Sequence, residues 1–307
     1  MSNSDDNTPA SPATAPVPAV PPAAAPAAAP ASEAVAAPTR ADPVEKAQRR
    51  ARMLLVAGPG QLHAAVLALL LTPGRAREMA VWRDENRHTV GAKELRNELI
   101  KLHPSERVPW LEKFIAKVAL GPLDKRQQLL RAVRRLIAAD GRAMALDRLR
   151  WLAIRHALGD VRAIALPAAA EVDLDGLATE TARQIGRFAA FLSRIVPSPE
   201  IDLDVVSGTQ ASGERWWIEV MKPWPDAGAT RDMPDSNALV SALHDVQALP
   251  WMLRPVLVRR WVDAAVSLSP AGQLGAPAAE ALRIAAHLLE SPQPPAVAAC
   301  FDDLDAA

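Results

Sequence analysis

The stretch Leu123-Asp124-Lys125-Arg126-Gln127-Gln128-Leu129-Leu130-Arg131-Ala132-Val133-Arg134-Arg135-Leu136-Ile137-Ala138-Ala139 decides the fold class. Leu129, Leu130, Val133, Leu136 and Ile137 fall on one side of a helix, and the arginines fill the other. The same period recurs almost everywhere from Val44 onward, and strand alternation recurs almost nowhere. Downstream, Ala139-Asp140-Gly141-Arg142 turns the chain into an amphipathic helix over 146–158. Upstream, Trp110, Leu111, Phe114, Ile115, Val118 and Ala119 share a helix that Pro109 is expected to open and Gly121-Pro122 to close. The residues before it, 103–107, read as a linker.

Further upstream the pattern predicts helices over 44–57, 61–71, 75–87 and 90–102, broken by Gly58-Pro59-Gly60 and Thr72-Pro73-Gly74. The second of these is apolar nearly all round, so it should be buried on most sides. Beyond a linker over 166–170, helices are expected over 174–195, 236–248, 250–268 and 277–289. Pro255 should force a start or kink near Met252 and Leu253. Between Pro197 and Pro234 the pattern is least regular, with one short strand-like run over Trp216–Met221. About ten helices without a supported sheet predict an all-α protein, an antiparallel multi-helix bundle joined by short loops.

The chain has 307 residues, with 35 basic and 35 acidic side chains and therefore no formal net charge. That balance argues against a globally basic nucleic-acid binder. A single cysteine, Cys300, excludes an internal disulfide framework or a cysteine-rich zinc module. Charge is nevertheless segregated. Residues 1–43 carry one base and four acids, 44–162 carry 24 bases and 12 acids, and 163–307 carry 10 bases and 19 acids. The expected organisation is thus a tail over 1–43, a basic helical lobe over 44–162 and an acidic helical lobe over 163–307, the two lobes able to form one continuous domain. The tail holds ten prolines and fifteen alanines. Proline lacks an N–H and biases its predecessor toward extended geometry, so a disordered tether with polyproline-II character is expected. Asp5 and Asp6 stand where a secretory signal would be basic, and the longest apolar run, Ala64 to Leu71, is too short to span a membrane. A cytoplasmic location is the expectation.

Two segments echo one helical unit, an apolar helix, a glycine-containing turn and a helix with an early acid. One runs from Leu136-Ile137-Ala138-Ala139-Asp140-Gly141-Arg142 to Leu146-Asp147-Arg148-Leu149, the other from Val262-Asp263-Ala264-Ala265-Val266 to Glu280-Ala281-Leu282-Arg283. The Asp-Gly turn followed by an acid resembles the tellurite-resistance-protein-B-like helical unit. In order, Ala65-Val66-Leu67-Ala68-Leu69-Leu70-Leu71, Arg107-Val108-Pro109-Trp110-Leu111-Glu112, Ala139-Asp140-Gly141-Arg142 and Leu249-Pro250-Trp251-Met252-Leu253-Arg254-Pro255 resemble the cytoplasmic C-terminal region of bacterial membrane zinc metallopeptidases of the CAAX-prenyl-protease type. The resemblance covers roughly residues 52–295, without the peptidase domain. It implies a non-catalytic regulatory or interaction role, with a protein partner and no cofactor. The chain departs from that pattern at Ala271, where the second unit lacks its turn aspartate, and over Trp216–Trp224.

Few residues suggest chemistry. The histidines, His63, His88, His103, His156, His244 and His287, are nowhere paired at the spacing a zinc hydrolase needs. Gly58-Pro59-Gly60 lacks the lysine and hydroxyl of a phosphate loop. Cys300 lies beside acids that disfavour its thiolate. Asp140 and Asp147 either contribute to a divalent-ion site or simply serve a turn and a helix start. Arg131, Arg134, Arg135 and Arg142, with Arg148, Arg150 and Arg155 after them, either form a phosphate-binding face, a solvated surface, or a surface docked onto the acidic half. Trp216, Trp217 and Trp224 either anchor a loop or offer an exposed partner-binding cluster. No catalytic or metal residue is assigned. The leading expectation is protein–protein recognition, and the alternative is nucleic-acid or anionic-surface binding by the basic lobe.

Overall fold

The fold is given by a computed structural model that describes residues 43–141, 143–159, 173–197 and 206–304. Pro43 already starts the first helix, and residues 1–42 of the expected tail, Arg142 and the expected linker over 166–170 lie outside the described residues. Among those residues the secondary structure is entirely helical. The first half contains α1 (Pro43–Leu54), α2 (Pro59–Leu70), α3 (Ala76–Glu85), α4 (Ala92–Ile100), α5 (Pro104–Ala119), α6 (Leu123–Ala138) and α7 (Ala145–Leu158). The second contains α8 (Thr179–Leu192), α9 (Val206–Met221), α10 (Ser236–Gln247), α11 (Leu253–Leu268), α12 (Ala276–Leu288) and the single turn α13 (Pro295–Ala298).

Two apolar cores result. The first gathers around α2, whose Ala64 to Leu70 are all buried, as an all-apolar helix requires. Trp82, Leu99, Trp110, Phe114, Leu129 and Leu136 pack about it. The second gathers around α8, α11 and α12, with Phe188, Phe191, Trp216 and Trp261 at its centre. Helix α7 belongs to both: Ile154 and Leu158 enter the first core, while Leu149 and Leu152 enter the second. The two halves therefore share a helix, and Ala41–Ala307 groups as one compact unit.

The 103–107 stretch is helix and not linker, because α5 starts at Pro104. Proline suits the first helical position, where its missing N–H would have had no partner. The His103 ring accepts from the Ser105 N–H, and Glu106 accepts from the His103 N–H, closing a capping box. Pro109 consequently lies inside the helix. Its absent N–H leaves the Ser105 carbonyl unclaimed within α5, and the backbone N–H of Asp302 takes that carbonyl at 3.1 Å. The Ser105 hydroxyl donates to Asp302 as well (3.0 Å), and Lys46 pairs with the same carboxylate.

The strand-like run Trp216–Met221 is the last part of α9. Its aromatic and β-branched residues favour strands only weakly, and packing overrides that preference. Gly213, Trp216 and Val220 fall at spacings of three and four, and all three are buried. At Gly213 the helix passes so close to the end of α8 that an added Cβ would lie 1.9 Å from the Ser193 carbonyl oxygen. The helix expected over 174–195 is shorter, since a 3-10 turn over Leu174–Gly176 precedes α8. Pro255 occupies the first turn of α11, as its missing N–H demands.

Candidate functional site

The tryptophans identify which faces are open. Trp216 is fully buried and its Nε1 donates to the Trp261 carbonyl at 3.0 Å. Trp217 donates to the Gly186 carbonyl and Trp224 to the Leu174 carbonyl, both at 3.0 Å, and Arg260 stacks over the Trp224 ring. These three indoles bind α9 and the segment after it to α8, α11 and the 3-10 turn. They do not form an exposed cluster, because their polar edges and most of their area are consumed inside the fold. The exposed indole is instead Trp251, 75% accessible beside Met252, in the turn before α11.

The basic residues separate in the same way. On α6, Arg131, Arg134 and Arg135 are all exposed, but they do not act together. Arg135 reaches back to Glu85 at the end of α3, with Nε 2.8 Å from the carboxylate. Arg131 stands one turn before Arg134 and is not among the residues lining the groove described next. Arg134 instead joins Arg148 and Arg155 of α7 around a groove of about 920 Å³, whose other wall is α10. Arg148 is held by its contact with the Phe191 ring, 5.8 Å from the centroid. Unlike Arg135 and Arg150, which pair with Glu85 and Glu280, Arg134 and Arg155 have no carboxylate partner among the described residues. Ile137, Trp151, Leu239 and Val240 supply apolar lining, and His244 adds an imidazole. At the groove's edge Asp235 caps α10, accepting from the Asn237 and Ala238 N–H groups at 2.8 Å each. Those two hydrogen bonds, with a smaller contribution from Arg148, hold its carboxyl below the ordinary carboxylate range. The arginines were visible in the sequence as a helical face. The α10 wall was not, because nothing local to residues 236–244 reports what they pack against.

Other charges are consumed in joining the two halves. Arg150 of α7 forms a bidentate pair with Glu280 of α12, at 2.6 and 2.9 Å, and Asp147 lies 3.4 Å from the same guanidinium. Burial alone would lower the proton affinity of Arg150; the charge and hydrogen bonds of Glu280, then Asp147, reverse the sign and raise it. Arg283 of α12 forms a second bidentate pair with Glu112 of α5, at 2.9 and 2.6 Å, beneath the Phe301 ring. Asp140 faces Arg75 at 3.3 Å, so both carboxylates of the turn unit meet arginines. Gly141 takes a φ of 71°, the conformation the Asp-Gly turn needs. No three His, Cys, Asp or Glu side chains converge on a metal-sized site among the described residues. Cys300 is half-buried, and that burial pushes its thiol up. Among the same residues no helix is long and apolar enough to cross a membrane.

Between α6, α7 and α10 the structure thus offers a groove with cationic rims and an apolar lining, on a frame clamped by two ion pairs. Comparison with known proteins adds no relative to it: no family model, curated sequence or solved structure matches the chain.

Proposed function

We propose that this is a non-catalytic recognition protein, and that the groove between α6, α7 and α10 takes an acidic, amphipathic helix from a protein partner. The observation that carries this reading is the convergence of Arg134, Arg148 and Arg155 around Ile137, Trp151, Leu239 and Val240. Cations on the rim complement acidic residues, and the apolar lining takes the hydrophobic stripe of the same helix. Nucleic acid would use the cations but leave the aliphatic lining idle, since it is read through phosphates and stacked bases. The resemblance in the turn unit makes the cytoplasmic part of a membrane zinc metallopeptidase the first partner to test.

The test is fluorescence anisotropy with a labelled acidic amphipathic helical peptide, set against a single-stranded oligonucleotide across a salt series. Peptide binding should persist partly at high salt, fall on replacing its leucines with alanine, and weaken about tenfold or more in Arg134→Glu/Arg155→Glu. Tighter oligonucleotide binding with a steep salt slope would favour the anionic-surface alternative instead.

A further inference from the structure

A second cavity, of about 410 Å³, opens on the opposite flank of α6, and none of the groove residues line it. The turn between α1 and α2, the end of α5 and the start of α6 form its walls. Leu62, Val118 and Leu129 supply apolar lining, and Lys117 and Lys125 stand at its mouth. Its rim is unusually greasy for a protein surface. Leu120, which lines the cavity, is 90% exposed, Leu55 in the turn is 80% exposed, and Val90, next to the lining residue Thr89, is 89% exposed. Leu120 thus exposes aliphatic surface on the lining itself, and Leu55 and Val90 do so two residues and one residue along the chain from the lining residues Ala57 and Thr89.

The polar side of the cavity carries Lys125, which also lies 3.9 Å from Asp124 in the first turn of α6, and two helix starts. Helices α2 and α6 both begin there, with Gly58 and Pro122 as N-caps, and neither cap makes a side-chain hydrogen bond. Uncapped N-termini carry a partial positive charge, although at α2 Pro59 contributes no N–H and the donors begin at Gly60. Gly60, in the first turn of α2, lines the cavity and has no side chain to cover those groups; an added Cβ would press on the Thr89 hydroxyl at 3.3 Å. The end of α5 brings opposing partial charge, and the Lys117 ammonium is taken up by the Leu54 and Val56 carbonyls, at 2.9 and 2.7 Å. The only carboxylate in the lining, Glu85, is answered by Arg135. His63 beside it is buried, and desolvation lowers its pKa, so it adds no charge at neutral pH.

We propose that this cavity binds a small amphipathic carboxylate, with the carboxylate at the α2 start near Lys125 and the aliphatic chain along Leu62, Val118 and Leu129. A volume of about 410 Å³ falls within the range of ligand pockets, roughly 300–1,000 Å³, and suits a medium-length chain. Decanoate below its micelle concentration is the probe, with decanol and decyltrimethylammonium as controls that keep the chain and change the head. Titration calorimetry should give saturable one-to-one binding of decanoate and a raised Tm, with decanol weaker and the cation weakest. Lys125→Glu, at an exposed position, should weaken decanoate about three- to tenfold without changing the Tm of the free protein. Ala57→Trp fills the mouth from an exposed position and should abolish binding, whereas Arg134→Glu/Arg155→Glu should leave it intact. Equal binding of all three amphiphiles, or indifference to Ala57→Trp, would show surfactant adsorption and overturn the proposal. Binding only to phosphatidylglycerol vesicles and not to monomeric decanoate would overturn it too.

Discussion

Removing one carboxylate should loosen the whole helical unit. In Glu280→Ala the guanidinium of Arg150 loses both charge-assisted bonds, at 2.6 and 2.9 Å, and keeps only Asp147 at 3.4 Å. Its side chain is 19% exposed and that of Glu280 is 12% exposed, so water cannot replace the lost partner cheaply. Breaking a buried pair by deleting one member costs about 3–5 kcal/mol. For a folded unit of this size that corresponds to a Tm fall of about 6–20 °C. The double variant Arg150→Met/Glu280→Leu removes the stranded charge and fills similar volume, so it should return to within about 2 kcal/mol of the parent. Urea denaturation followed by circular dichroism measures all three proteins. The distinguishing result is the order: the single variant least stable, the double variant well above it. If Glu280→Ala lies within about 1 kcal/mol of the parent, the pair is a solvated surface contact and the reasoning about burial is wrong.

Four further outcomes follow from other parts of the structure. Trp216→Ala should cost about 3–5 kcal/mol in the same denaturation assay, because a fully buried indole and its bond to Trp261 are lost; a cost under 1 kcal/mol would return this residue to the surface. Gly213→Ala should destabilise, although alanine normally improves a helix interior by about 1 kcal/mol, since its Cβ would collide with the Ser193 carbonyl. Ala271 holds a φ of 53°, so Ala271→Gly should raise stability by about 1 kcal/mol, and an unchanged midpoint would refute the strain. His63 is held below its ordinary 6.5 chiefly by burial, so the unfolded chain takes up its proton first. Its contribution is flat above about pH 6.5 and becomes destabilising as pH falls below that value; His63→Gln should flatten the loss between pH 7 and 5.5, and an identical slope would exclude it.

The helical class could be read directly from residues such as Leu129, Val133 and Leu136, because amphipathic period is a local property. At Gly58-Pro59-Gly60 the existence of a break was readable but its bounds were not, since α1 already ends at Leu54 and Pro59 and Gly60 form the first turn of α2. Pro109 misled because a proline is a start signal only when the preceding residues cannot build a cap, and His103 with Glu106 can. The Trp216–Met221 run misled because its strand preference is intrinsic, while the burial that selects helix comes from α8 and α11. The candidate site was half legible. Arg134, Arg148 and Arg155 already belonged to one basic series in the sequence. What separated them from Arg135 and Arg150 was the position of Glu85 and Glu280, which only the tertiary structure supplies. That same pairing explains how a basic half and an acidic half coexist: Arg150 with Glu280 and Lys46 with Asp302 join them directly.

The C-terminal segment is recognised by a vacancy in another helix's ladder. A proline at 109 withholds one donor, and the carbonyl it frees becomes an acceptor of fixed position for the main chain of residue 302. The main-chain part of this recognition does not depend on the arriving side chain, whereas the Asp302 carboxylate adds the Ser105 hydroxyl and Lys46 as partners that only an acid at that position keeps. Conversely, any residue other than proline at 109 would compete for that acceptor from within α5. Pro109→Ala should therefore strengthen the helix locally while costing Asp302 its main-chain acceptor, which makes an apparent helix breaker one determinant of where residues 301–304 come to rest.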